Sequence, residues 1–456
     1  MAGAVTSDGE RPIVTASFRT MGCKLNQCET AQMEEALLDL GYRLVPWDTP
    51  AVVRVLNTCT VTAKTDGECR REIRRALRLD PGCRMVVTGC YAQVAPEQTA
   101  SIPGVALVLG NLDKLRLGDH LERLLARAPL FQDAAGIEPA PTRVTPYQTA
   151  PVFRGDFFRH FSGYTRAFLK VQNGCDNACS YCVIPAARGH SRSMLLADVA
   201  TEVRLLADQG FREVVLTGIH LGAWGRDTGE GSLADLLSAL TGFHETLRFR
   251  LSSTEPMEVD DRVLQVMEAE RTRFAHHLHV PLQSGSDTVL RRMNRPYRSE
   301  AYLQRVHAIR GAFPDAAIGA DVIAGFPGET DEEFAQTLAL VEKAPLTYLH
   351  VFSYSDRPGT RASAMKDKVP PEVIAARGGR LRALGVAKDC EFQERFQGTV
   401  LDTLVLKERA ADGRLVGLTG NYLEVLMEGG DELKNSFVPV RALRRGGDGR
   451  WEGVVA

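Results

Sequence analysis

The chain lacks any apolar run long enough to cross a bilayer, and its opening ten residues lack the basic start and apolar stretch of a secretory leader. It also lacks an excess of charge. Lys and Arg number 55 against 57 Asp and Glu, a formal net of −2, so no global field draws it to nucleic acid and any such contact must come from local patches. These absences describe a globular, cytoplasmic chain. Its 456 residues, 44% hydrophobic and 25% charged, suggest about three domains at ~150 residues each. What the chain does have is ten cysteines. In a cytosolic protein of this size thiols point to metal before disulfides, and all but Cys390 lie before residue 183.

Three segments separate by pattern, together an α/β protein. Residues 11–125 alternate short apolar runs (Ile13–Phe18, Val52–Leu56, Met85–Val87, Val105–Leu109) with helix-like stretches, which implies an N-terminal domain with a parallel sheet and crossover helices. Residues 126–155 are rich in proline and read as a linker. Between 156 and 395, candidate strands Ala167–Val171, Glu213–Leu216, Leu247–Leu251, His277–Val280, Ala317–Val322 and Leu349–Phe352 alternate with helical patterns. Six such units predict a partial (βα)6 barrel with its chemistry at the C-terminal ends of the strands. From 396 to 456 short strands and turns replace helices, which predicts a small antiparallel β-barrel.

Cys175-Asp-Asn-Ala-Cys179-Ser-Tyr-Cys182 directly follows the first barrel strand. Three thiolates within eight residues can wrap one face of a cubane iron–sulfur cluster, leaving the fourth iron open to chelate a small molecule, a vacancy that four-cysteine electron carriers lack. Tyr181 sets an aromatic face beside them. The alternatives are a chance grouping or zinc, which would want a fourth ligand, with His190 the local candidate. Six further cysteines lie near the N-terminus. Cys23, Cys59 and Cys90 each fall just beyond a strand, at the sheet edge where open α/β folds gather ligands, and Gly22 and Gly89 allow close backbone approach. Cys28 and Cys69 fall in helix-like stretches and Cys83 precedes its strand, so buried structural thiols are expected there, with Cys28 open to a role because it lies near Cys23.

The CxxxCxxC spacing, with an aromatic before its last cysteine and a partial barrel behind it, resembles the radical S-adenosylmethionine (SAM) superfamily. The resemblance narrows through Gly22-Cys-Lys-Leu-Asn26, Asn57-Thr-Cys-Thr-Val61, Thr88-Gly-Cys-Tyr-Ala-Gln93, Leu216-Thr-Gly-Ile-His220, Val280-Pro-Leu-Gln-Ser-Gly-Ser286 and Asp321-Val-Ile-Ala-Gly-Phe-Pro-Gly-Glu-Thr330, which are similar to the radical methylthiotransferases over nearly the whole chain. That likeness implies two [4Fe–4S] clusters. Cys175, Cys179 and Cys182 would hold the one that binds and cleaves SAM to a 5′-deoxyadenosyl radical; Cys23, Cys59 and Cys90 would hold an auxiliary one that carries sulfur. Tyr181, Gly218, Ser252, Gln283 and Gly325 are the expected SAM contacts, and the C-terminal barrel fills the slot of the RNA-binding TRAM module. An electron donor of the flavodoxin or ferredoxin kind is implied as a partner.

Met21-Gly-Cys-Lys-Leu-Asn-Gln-Cys-Glu-Thr30 and Phe352-Ser-Tyr-Ser-Asp-Arg-Pro-Gly-Thr360 look most like the bacterial branch acting on N6-threonylcarbamoyladenosine in tRNA. Isopentenyladenosine tRNA or a ribosomal-protein aspartate are the alternative substrates, and a non-catalytic two-cluster electron carrier is the alternative of a different class. Two basic groups, Arg70, Arg71, Arg74, Arg75, Arg78 and Arg291, Arg292, Arg295, Arg298, are candidates to grip phosphates, against a solvated face with helix ion pairs. The C-terminal module has no basic excess, so its RNA role is implied by resemblance alone.

Overall fold

The computed structural model describes residues 13–127, 139–147, 153 and 164–456; much of the linker expected at 126–155 lies outside them. Two compact units result, one from the residues before Val152 with Ala186–Arg188, the other from the remainder.

The first unit is a parallel sheet of β1 (Thr15–Thr20), β2 (Arg43–Leu44), β3 (Val53–Thr58), β4 (Arg84–Gly89), β5 (Val105–Leu109) and β6 (Thr142–Arg143), in the order β2-β1-β3-β4-β5-β6. Helices α1 (Lys24–Asp39), α2 (Ala63–Leu79), α3 (Cys90–Val94), α4 (Pro96–Ala100) and α5 (Leu117–Arg127) connect the strands. Central β3 is buried along its whole length, as a strand covered on both faces requires. Thr62 caps α2 by accepting from the Thr65 N–H, which fixes where the loop after β3 ends and the helix begins.

In the second unit, β7 (Ala167–Lys170) leads into a loop carrying the hairpin of β8 (Gln172–Asn173) and β9 (Arg192–Ser193); α6 (Ile184–Arg188) lies between them in sequence, its last three residues belonging to the first unit. The series continues through α7 (Leu196–Asp208), β10 (Glu213–Thr217), α8 (Leu233–Thr241), β11 (Arg248–Leu251), α9 (Asp261–Ala269), β12 (His277–His279), α10 (Asp287–Arg292), α11 (Ser299–Ala312), β13 (Ala317–Ala324), α12 (Asp331–Lys343), β14 (Tyr348–Ser353) and α13 (Pro371–Glu394). The strands form two parallel three-stranded halves, β7-β10-β11 and β12-β13-β14, joined by a bridge between Phe249 and Phe274. This is the expected open, six-strand barrel.

The last five strands, β15 (Val400–Arg409), β16 (Leu415–Thr419), β17 (Glu424–Met427), β18 (Phe437–Arg445) and β19 (Trp451–Val455), close into a barrel. It is not wholly antiparallel, because β17 and β19 pair in parallel. An odd number of strands cannot alternate direction all the way round a closed ring. The module shares its apolar core with Ala317, Phe392 and Tyr348, so it is built onto the partial barrel rather than hung from it.

Candidate functional site

In the first unit three cysteines converge on one edge of the sheet. Cys23 starts α1 just past β1, Cys59 follows β3, and Cys90 opens α3 directly after β4. Two glycines make the approach possible. A Cβ on Gly22 would lie 2.7 Å from the Cys59 Sγ, and one on Gly89 would lie 2.3 Å from the Thr58 carbonyl oxygen, both at positive φ. Asn26 ties the loops together by donating to the carbonyls of Met21 (2.8 Å) and Thr58 (2.9 Å). Cys28 is fully buried inside α1, Cys69 is buried in α2 with its thiol 3.4 Å from the Cys59 carbonyl, and Cys83 sits in the apolar core beneath β4.

Behind Cys90 lies a buried polar group that the sequence did not announce. Arg188 is fully buried, with its Nε 3.2 Å from the Cys90 Sγ, and its other nitrogens donate to Glu29 and Asn26. Lys114, also fully buried, pairs with Glu29 and donates to Asn111 (2.8 Å) and Asn57 (3.3 Å). Two cations thus share one carboxylate beside the thiols. A guanidinium aimed at sulfur suits a metal-bound thiolate, because a neutral thiol returns almost nothing for the desolvated charge. Burial pushes the Cys59 thiol up to about 11, so a cation has to hold it as thiolate at neutral pH. These residues fit an iron–sulfur cluster.

In the second unit Cys175, Cys179 and Cys182 lie on the loop after β7 and β8. The Cys175 Sγ accepts from the Asn177 N–H and the Cys182 Sγ from that of Ile184, each at 3.4 Å. Burial pushes the Cys182 thiol up to about 12. Arg295, nearly buried, brings Nη1 to 3.2 Å from the Cys179 Sγ and pairs with Glu255. His220 stands 3.7 Å from the Cys175 Sγ and 2.9 Å from Glu258. His190 does not join the thiols; it points outward and pairs with Asp176 at 2.8 Å. The donor set therefore remains three sulfurs, as an open-iron cluster needs.

The residues expected to contact SAM all lie beyond strand ends. Tyr181 packs against Val289, Met293 and Phe326. Gly218 follows β10, where Gln172 Oε1 would meet any added Cβ at 3.0 Å, and that oxygen accepts from the His220 N–H at 2.7 Å. Ser252 follows β11, and its buried Oγ has no hydrogen-bond partner among the described residues, an orphan that a polar ligand would satisfy. Gln283 takes a left-handed φ of 66° while bridging to Val322, a conformation costing ~1–3 kcal/mol that the surrounding structure has to hold. Gly325 ends β13 with its N–H donating to Glu329 at 2.8 Å, and an added Cβ would strike Ile374.

Inside the barrel a hydrogen-bonded chain runs from His277 through Tyr348 (2.8 Å) to His279 (3.0 Å), then Asp321 (2.9 Å) and His350 (3.3 Å). The two imidazoles hold the Asp321 carboxyl far below its usual range against the opposing effect of burial. His350 is more than half exposed at the end of this chain, so it can present a polar group to a substrate. Of the two arginine groups that are candidates for phosphates, the second is only partly available. Arg295 is buried at Cys179, Arg292 pairs with Glu333 at 2.7 Å, and Arg298 donates to the carbonyls of Arg295 and Tyr297. Arg295 and Arg292 are thus paired with the carboxylates of Glu255 and Glu333, while Arg291 and Arg298 remain exposed.

A partial βα barrel with three thiols on the loop after its first strand defines the class of radical SAM enzymes. Residues 169–341 match the family model described as the radical SAM superfamily, and residues 15–110 match the one described as uncharacterized protein family UPF0004. The chain is 37% identical to the threonylcarbamoyladenosine tRNA methylthiotransferase MtaB of Bacillus subtilis, with 95% of each covered. It is 39% identical to the enzyme of the same name from Aquifex aeolicus, over 91% of this chain and 97% of the relative. With the tRNA-2-methylthio-N(6)-dimethylallyladenosine synthase of Acidothermus cellulolyticus the identity is 35%, over 88% and 82%. The radical SAM methyltransferase TsrM from Kitasatospora setae, solved with cobalamin and a [4Fe–4S] cluster, shares the fold at a TM-score of 0.57 and 16% identity, with 77% of each chain covered. The chain belongs to the radical SAM methylthiotransferase family. Among the described residues no helix is long and apolar enough to cross a membrane.

Proposed function

We propose that this enzyme methylthiolates carbon 2 of N6-threonylcarbamoyladenosine beside the anticodon of tRNA, using two [4Fe–4S] clusters. One observation carries the two-cluster part: each of two separate sheets gathers three cysteines past its strand ends, and each set has a buried arginine aimed at one sulfur. Cys175, Cys179 and Cys182 hold the cluster that binds SAM, and Cys23, Cys59 and Cys90 hold the auxiliary one. When bound, these groups supply radical formation from SAM and the sulfur to be inserted.

The protein's own share is position and exclusion of water. Tyr181, Gly218, Ser252, Gln283 and Gly325 ring the strand ends where SAM lies, with the Ser252 hydroxyl free to bond it. Asp321 holds the buried His279 on one side and the more exposed His350 on the other, and His350 is the one that can meet a substrate. The domain division runs 11–125 for the auxiliary-cluster domain, 156–395 for the radical SAM core and 396–456 for an RNA-binding TRAM barrel, and a flavodoxin or ferredoxin supplies electrons.

The threonylcarbamoyl substrate rests on the two MtaB relatives together with the sequence motifs; the dimethylallyl relative makes isopentenyladenosine the competing substrate. Mass spectrometry of tRNA nucleosides from a strain lacking the gene tests this. The 2-methylthio derivative of threonylcarbamoyladenosine should disappear while its isopentenyl counterpart persists. The reverse pattern refutes the assignment.

A further inference from the structure

Helix α2 carries Arg71, Arg74, Arg75 and Arg78 at i, i+3, i+4 and i+7, and so along one side. With Arg19 from β1 they line a groove of about 990 Å³ whose wall includes Gly22 and Cys59. Five arginines face Glu68 and Glu72 in the lining, and Arg75 also lies 3.6 Å from Asp48. Glu72 is shared by Arg19 (3.3 Å) and Arg75 (3.6 Å) and also accepts from the Trp47 indole, while Glu68 lies 3.9 Å from Arg71. Arg74 and Arg78 are exposed and form no ion pair among the described residues. A solvated helix face balanced by its own ion pairs would leave no such surplus, and exposed pairs of this kind are worth only ~0–1 kcal/mol each, so an incoming polyanion displaces them readily.

We propose that this groove binds the phosphate backbone of the substrate RNA and leads it to the auxiliary-cluster cysteines. Arg71 to Arg78 spans about 10 Å along the helix, the rise of roughly three nucleotides. The groove contains Cys59 in its wall, so a strand lying along α2 is held beside the sulfur-bearing site. Arginine suits the task, because its fork donates to two phosphate oxygens at once. The inference rests on the RNA substrate proposed above and adds where this chain holds it.

The test is fluorescence anisotropy of the cluster-loaded full chain with a labelled tRNA anticodon stem-loop, over a range of salt. Arg74→Gln/Arg78→Gln should weaken binding roughly fivefold or more near 0.1 M salt and flatten the dependence of log K on log salt by about 1.4, two single-strand contacts at ~0.7 each. Each single substitution should give about half the change in slope. Lysine at both positions should restore most of the affinity, because charge is what the backbone reads. Arg123→Gln, on an exposed stretch of α5, should change nothing, and iron content and far-UV circular dichroism monitor folding of each variant. Unaltered affinity and slope in the double variant would overturn the groove while leaving tRNA modification standing. An unsubstituted enzyme that binds no tRNA at any salt would overturn both.

Discussion

The Nε of Arg188 lies 3.2 Å from the Sγ of Cys90, and the Nη1 of Arg295 stands at the same distance from the Sγ of Cys179. Each guanidinium is buried and held from another nitrogen by a carboxylate, Glu29 for Arg188 and Glu255 for Arg295. A cationic donor on a cluster sulfur stabilises the extra electron of the reduced state, so it raises the reduction potential.

Arg188→Gln should therefore lower the potential of the auxiliary cluster and speed its loss under air. It removes the charge and leaves Glu29 with Lys114 as its buried cation. Redox titration followed by electron paramagnetic resonance, with iron analysis before and after exposure, reads both effects. An unchanged potential would mean that Arg188 serves packing alone.

The cysteine sets make separate predictions about metal content. Reconstituted protein should carry about eight irons, four per cluster. Alanine at Cys175, Cys179 and Cys182 together should leave about four and abolish cleavage of SAM to 5′-deoxyadenosine. Alanine at Cys23, Cys59 or Cys90 should stop sulfur insertion while some uncoupled cleavage persists. Cys69→Ala and Cys83→Ala should keep all the iron, since the Cys69 thiol bonds the backbone carbonyl of Cys59 and Cys83 lies in the apolar core. Loss of auxiliary iron from Cys83→Ala would contradict the ligand assignment.

Much of the placement of these thiols was legible because it follows a local rule: an apolar run, a turn with glycine, then a cysteine. The six strand-end cysteines fall where β1, β3, β4 and β7 end, and Cys69 and Cys83 fall in the core as expected. The arginines behind the sulfurs were not legible. Arg188 and Cys90 are separated by 98 positions, and Arg295 and Cys179 by 116, so no local pattern joins them. Arg295 read as a surface cation because its neighbours Arg291, Arg292 and Arg298 are cationic too, and only the fold turns it inward. The two-residue strands β2 and β6 carry too little periodicity to be seen, and they form only when the sheet supplies a partner edge.

Glu213 predicts how the barrel responds to acid. Burial alone would raise its pKa, but the guanidinium groups of Arg250 (2.9 Å), Arg248 (2.7 Å) and Arg166 (3.6 Å) outweigh it and hold the group at about 2. The folded value lies below the unfolded one of ~4.3, so this stabilisation is complete above that value and is lost as pH falls toward 2. Arg250 also donates to the carbonyls of Thr419 (3.1 Å) and Gly420 (3.0 Å), which ties the C-terminal barrel to the same charge. Glu213→Gln should cost about 3–5 kcal/mol at neutral pH by leaving the buried Arg250 without a carboxylate and Arg248 with only the exposed Asp402. Urea unfolding should then show a shallower loss of stability between pH 5 and pH 3 than the unsubstituted protein shows. Equal slopes would remove Glu213 from the account.

The central claim is the reaction itself, and one incubation tests it most directly. The reconstituted, reduced enzyme is given SAM and two tRNAs, one bearing N6-threonylcarbamoyladenosine and one bearing isopentenyladenosine, and the nucleosides are resolved by mass spectrometry. The predicted result is a methylthio group, placed at carbon 2 of the adenine, in the threonylcarbamoyl tRNA alone. Methylthiolation of the isopentenyl tRNA alone, or of neither, would contradict the account.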